Sequence, residues 1–150
     1  MTTTVHGLAE LAGLAGTDLG RTPWVPVDRE HVAAFAHATH GHPHPAGEDG
    51  GDAPLGGPVA DGFHTLGLVG TLVDRLLEFR EIRMNVIYGV NRLRLPGPLP
   101  VGARVRLHAE VGAVTEVRGG GMEMLVYATV EVAGRPKPAC VAEVVYRIYD

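Results

Sequence analysis

The sequence predicts an α+β domain in which one long apolar helix lies against an antiparallel sheet. Leu66, Val69, Leu72, Val73, Leu76 and Leu77 recur at helical spacing and give one broad apolar surface. Downstream the period changes. Val105, Leu107, Ala109 and Val111 alternate with Arg104, Arg106, His108 and Glu110, as in a half-buried strand. Residues 122–132 and 139–149 also read as strands, set off by Gly119-Gly120-Gly121 and by Gly134-Arg135-Pro136-Lys137-Pro138. Such a sheet buries one face and exposes the other, and dimerisation could complete its open edge.

From the N-terminus, residues 4–16 suggest a short helix with Leu8, Leu11, Ala12 and Ala15 on one side and glycines at 13, 16 and 20 interrupting it. Thr22-Pro23-Trp24-Val25-Pro26-Val27 is extended, because each proline restricts the residue before it. Trp24 is expected to anchor this arm, residues 1–27, on the core of a single domain spanning 1–150. Asp28 looks like an N-cap, and Val32, Phe35, Ala36 and Thr39 predict a helix over 29–39. His40-Gly41-His42-Pro43-His44-Pro45 cannot continue it. Residues 46–57, with five glycines and acids at Glu48, Asp49 and Asp52, read as an exposed segment.

The second helix begins near Asp61. Gly67 and Gly70 each lower its propensity by roughly 1 kcal/mol relative to Ala but permit close approach of a neighbouring element. Asp74, Arg75 and Glu78 mark its wetter side and its end. Residues 84–95 predict a strand interrupted around Gly89, followed by the rigid turn Pro96-Gly97-Pro98-Leu99-Pro100.

With 13 basic and 17 acidic residues the chain carries a formal net charge of −4 and no cluster of Lys and Arg, so neither nucleic acid nor an anionic membrane is an expected partner. No run approaches the ~20 apolar residues that span a bilayer. Cys140 is the only cysteine, which excludes an intrachain disulfide. The N-terminus lacks the pattern of a signal peptide, and a cytoplasmic protein is expected.

Three segments resemble the MaoC-like hotdog family of acyl-thioester hydratases and dehydratases, including its NodN-like branch. They are Phe35-Ala36-His37-Ala38-Thr39, Gly57-Pro58-Val59-Ala60-Asp61-Gly62-Phe63-His64-Thr65-Leu66, and Tyr88-Gly89-Val90-Asn91-Arg92-Leu93-Arg94-Leu95-Pro96. The resemblance covers residues 20–149. It implies a hotdog fold, an antiparallel sheet wrapped around a long central helix, and a homodimer. It also implies an acyl-thioester substrate carried on coenzyme A or acyl carrier protein. No cofactor is expected. The family's usual site is a Thr-Gly-Asp loop with a histidine five residues after the aspartate. Aligned on Thr39, this chain has His40 at the glycine, Gly41 at the aspartate and Ala46 at the histidine. The usual Ala-His-Gly is Ala60-Asp61-Gly62.

Thioester dehydration needs a base for the proton beside the carbonyl, an acid for the departing hydroxyl, and donors aimed at the developing enolate oxygen. The mouth of the second helix supplies donors, since its first N–H groups lack intrahelical partners. Gly62 and Phe63 are the expected carbonyl-binding positions, with Asn91 and Arg94 as further substrate contacts. Asp61 and His64, three residues apart, form one candidate proton-transfer pair. The alternative makes Asp61 an N-cap and His64 a polar helix-end residue. His42 and His44, alternating in a proline-stiffened loop, form a second pair. The alternative there is a solvated histidine-rich loop. No metal is expected, because His42-Pro43-His44 is not a zinc motif and no His-Glu-x-x-His is present.

The leading expectation is a divergent MaoC-like enzyme acting by acid/base chemistry in hydration, dehydration or cyclisation of an acyl thioester or related specialised metabolite. The alternative is a noncatalytic acyl-thioester-binding or assembly protein that has lost the usual dyad.

Overall fold

The computed structural model describes residues 1–41 and 55–150; His42, His44 and Ala46 lie outside the described residues. Its elements are β1 (Thr3–His6), α1 (Gly7–Ala12), β2 (Asp18–Arg21), β3 (Val25–Pro26), α2 (Arg29–Ala38), α3 (Gly62–Val73), β4 (Leu77–Arg80), β5 (Met84–Arg94), β6 (Arg104–Val117), β7 (Gly121–Val132) and β8 (Cys140–Tyr149). The main sheet runs β2-β6-β7-β8-β5, with β3 beside β6, and every pairing in it is antiparallel.

The expected alternation sets which face is buried. Val105, Leu107, Ala109 and Val111 are each 0% exposed, and their neighbours Arg104 and Glu110 face solvent. Met124 and Val126 on β7 and Val144 and Ile148 on β8 extend the same inner face. α3 packs across β6, β7 and β8 and adds Val69, Leu72 and Val73 to the core. Burying each Val or Leu side chain contributes roughly 1.5–3 kcal/mol, so this seam dominates the stability. A sheet curled around α3 is the hotdog arrangement that the resemblance implies.

The structure corrects two expectations and adds two details. Residues 4–16 are not one helix. Thr3, Thr4 and Val5, β-branched, form β1, which pairs in parallel with β4. Only then does the six-residue α1 follow. The apolar surface that suggested a helix through Leu77 belongs to two elements. α3 ends at Val73, and Leu76 and Leu77, each 2% exposed, stay buried as turn and strand because β1 offers backbone partners there. β2 forms despite Gly20, which sits at a bulge with φ +81° while its N–H donates to Asp18 Oδ1 at 2.8 Å. Trp24 anchors the N-terminal segment on the outer side of the sheet, where the Arg106 guanidinium lies 4.5 Å from its ring centroid.

β5 breaks register between Ile87 and Gly89 and between Val90 and Arg92, matching the interruption expected at Gly89. Among the described residues it pairs with β8 on one side only, and Val86, Ile87 and Tyr88 are 42%, 56% and 66% exposed.

Candidate functional site

The end of α2 and the start of α3 build the candidate site. Asp28 opens α2 with a reciprocal cap: its Oδ1 accepts from the His31 N–H at 3.1 Å, and its own N–H donates to His31 Nδ1 at 3.2 Å. Histidine thus takes the place that Glu or Gln holds in the usual capping box. α2 ends in a Schellman turn. The His40 N–H reaches His37 O at 3.2 Å and the Gly41 N–H reaches Ala36 O at 2.9 Å. His40, which stands where the resemblance places a glycine, has φ +54°.

Asp61 is the N-cap of α3. Its backbone carbonyl accepts from the Thr65 N–H at 3.0 Å and from Thr65 Oγ1 at 3.1 Å, and its Oδ1 accepts from the Phe63 N–H at 2.7 Å. This alters two of the sequence expectations. The Phe63 amide, expected to bind a carbonyl, is already engaged; the Gly62 and His64 amides have no acceptor among the described residues. Asp61 makes no hydrogen bond to His64. It acts on the imidazole only through its charge, which favours protonation.

His64 occupies a distinctive environment. The Phe35 ring stacks on it with centroids 5.0 Å apart and planes 9° from parallel. Its Nδ1 is buried without a hydrogen-bond partner among the described residues. Burial pushes the His64 pKa below the usual 6.5, the nearby His31 adds to the effect, and Asp61 opposes it. The result is a neutral imidazole near pH 7 whose Nδ1 no described residue has claimed. Phe35 and His31 were not singled out from the sequence as shaping His64. The Asp28-x-x-His31 spacing was the signal for the cap, but nothing local marked the contact with α3.

Gly62 comes so close to the turn after β5 that an added Cβ would lie 2.5 Å from Leu95 Cδ1. Beside it opens a cleft of about 290 Å³ lined by Val59, Gly62, Thr65, Leu95 and Pro98. Asn91 and Arg94 do not join this site. Asn91 falls at the register shift of β5 and is exposed. Arg94 pairs with exposed Val141, whereas its neighbour Leu93 pairs with buried Ala142. Alternation therefore turns Arg94 to the outer face, where it lines a hollow of about 340 Å³ with Tyr127 and Glu143. Its Nη1 donates to Leu93 O at 2.7 Å. Cys140 is 0% exposed, and burial pushes its thiol up to about 11, so it packs as an inert side chain.

Comparison with known proteins gives one family. The MaoC like domain matches residues 10–133. The 3-hydroxyacyl-thioester dehydratase Z of Mycobacterium tuberculosis is 38% identical over 146 residues, 96% of this chain and 97% of that protein. Nodulation protein N of Rhizobium leguminosarum bv. viciae is 34% identical over 141 residues, 90% of this chain and 86% of that protein. The structure of the monoamine oxidase regulatory protein from Archaeoglobus fulgius superposes with a TM-score of 0.75 at 18% identity, covering 89% of each chain.

Proposed function

The chain belongs to the MaoC-like hydratase/dehydratase family, whose members act on acyl thioesters, and from that premise we propose that it is a divergent acyl-thioester lyase whose proton-transfer group is His64. The observation that carries this reading is the desolvated, neutral imidazole at the mouth of α3, its Nδ1 without a partner among the described residues. A neutral imidazole is the protonation state a general base needs.

In the dehydration direction, the thioester carbonyl sits against the free Gly62 amide, with the His64 amide as a second donor. His64 takes the proton from the carbon beside the carbonyl, and the electron pair forms the enolate. As the pair returns to form the carbon–carbon double bond, the β-hydroxyl leaves. The imidazolium gives its proton to that oxygen, which departs as water. One residue thus serves as base and then acid, and the balance needs no co-reactant. A cyclisation would use the same enolate against an electrophile elsewhere in the chain of the substrate. Asp61 holds the helix mouth and favours the imidazolium by charge.

The thioester is carried on coenzyme A or acyl carrier protein. A second copy of the chain adds its β5 along the outer edge of the first, a reading supported by the β5 backbone, which has no further strand partner among the described residues, and by exposed Ile87 and Tyr88.

One observation favours the noncatalytic alternative. The Asp61 carboxylate already brings negative charge to the helix mouth, 2.7 Å from the Phe63 amide, where an enolate would be opposed. Turnover of 3-hydroxyacyl- and enoyl-coenzyme A separates the two. The lyase reading predicts interconversion that His64→Gln lowers at least 100-fold with the fold intact, while Asp61→Asn, which keeps a capping side chain, retains activity. Binding of these thioesters without interconversion would instead establish the acyl-binding protein.

A further inference from the structure

Phe63, Gly67, Gly70 and Asp74 follow one another at spacings of four, three and four residues, so they share one face of α3 and its C-cap. A Cβ on Gly67 would meet nothing within 4 Å, and one on Gly70 would meet only Ile87 Cδ1, at 3.5 Å. The two glycines leave a furrow along the helix with Ile87 of β5 as its wall. Ten residues separate His64 from Asp74, a rise of about 15 Å. With carbon–carbon bonds near 1.5 Å in a zigzag, that length holds an extended chain of roughly twelve bonds.

Unpaired polar atoms lie beside the lower end of this furrow. Tyr146 is 3% exposed, and its hydroxyl is buried without a hydrogen-bond partner among the described residues. Asn85 Oδ1 is buried in the same condition. Tyr146 pairs with Ile87 and Asn85 pairs with Ile148, which makes Asn85 and Tyr146 diagonal neighbours on the inward face, next to the wall of the furrow. Asp74, at the C-cap of α3, completes the group. Burial pushes the Tyr146 pKa up and the Asp74 charge pushes it further, so the phenol stays a proton donor. Buried side-chain polar atoms in folded proteins almost always find partners, and these two neighbouring orphans have none among the described residues, which leaves both open to a polar group of a bound ligand.

We infer that Tyr146 and Asn85, with Asp74 beside them, form a polar end-stop for the acyl chain, selecting thioesters that carry a hydrogen-bonding group about twelve bonds from the reacting end. This specificity rests on the acyl-thioester reading above. A purely aliphatic chain of the same length would leave both orphans unpaired. A chain ending in a hydroxyl can accept from Tyr146 and donate to Asn85 Oδ1.

Calorimetric titration of the whole protein with dodecanoyl-coenzyme A and ω-hydroxydodecanoyl-coenzyme A reads this directly, because neither compound carries the β-hydroxyl that dehydration requires. The expected result is binding of the hydroxylated chain about tenfold tighter, the size of one well-made hydrogen bond. Tyr146→Phe should erase the preference. Asn85→Leu should narrow it and provides a second variant should the first not fold. Equal binding of both compounds to the unaltered protein overturns the end-stop and leaves the thioester reading standing, as does a preference that survives Tyr146→Phe. Failure of both compounds to bind overturns the two together.

Discussion

The Phe35 ring lies flat on the His64 imidazole, with centroids 5.0 Å apart and planes 9° from parallel, and so joins α2 to the mouth of α3. The stack keeps water from one face of the imidazole, and the loss of water is the main reason the His64 pKa falls below 6.5. NMR titration of the ring protons should therefore give His64 a midpoint below 6.5, and Phe35→Leu should move it back toward that value. A midpoint at or above 6.5 in the unaltered protein would contradict the environment described.

The same depression has a stability consequence. The unfolded chain binds a proton near pH 6.5 that folded His64 resists, so acid favours unfolding. The contribution of neutral His64 is complete above pH 6.5 and is lost as the pH falls through 6.5 toward the lowered folded value. Urea denaturation across this window should show a shallower acid loss in His64→Gln than in the unaltered protein; parallel curves would count against it.

His40 adopts φ +54° at the end of α2, a conformation that glycine reaches without a Cβ penalty. His40→Gly should raise stability by about 1 kcal/mol, the difference between the left-handed penalty of roughly 1–2 kcal/mol and the extra chain entropy of glycine. The check is the denaturant midpoint, which should rise.

Gly62→Ala places a methyl group against Leu95 Cδ1, the free end of a side chain that is 46% exposed and can swing outward. Folding should change by less than about 1 kcal/mol, within the range of tolerated surface-proximal substitutions. Thioester affinity should nevertheless fall about tenfold or more, because the methyl group occupies the approach to the Gly62 amide. Leu95→Ala in the same chain should not restore it. Calorimetry with crotonyl-coenzyme A reads both variants.

How much of this was legible in the sequence depends on the range of the interaction. Asp28 and Asp61 are readable as caps because their partners, His31 and Phe63, lie three and two residues away. Strands β6 to β8 are readable because alternation is a local pattern with Val105, Leu107 and Ala109 pointing one way. β1 and β4 are not, because the register that joins Thr3 to Leu77 closes across 74 residues, and Leu76 and Leu77 fit a continuing helix equally well. At the candidate site, the position of Asp61, Gly62 and His64 at the mouth of a helix was legible from the motif. The Phe35 stack, the turning of Arg94 to the outer face and the orphaned Tyr146 hydroxyl depend on how distant elements pack. No local spacing encodes them.

The central claim, that His64 exchanges a proton with the carbon beside a thioester carbonyl, can be tested without knowing the natural substrate. Butanoyl-coenzyme A incubated with the protein in deuterium oxide should gain deuterium at that carbon, read by mass spectrometry, and His64→Gln should reduce the gain at least 100-fold while still binding the thioester. Tight binding of butanoyl-coenzyme A with no deuterium gained above the protein-free rate, or equal gain in the variant, would contradict it.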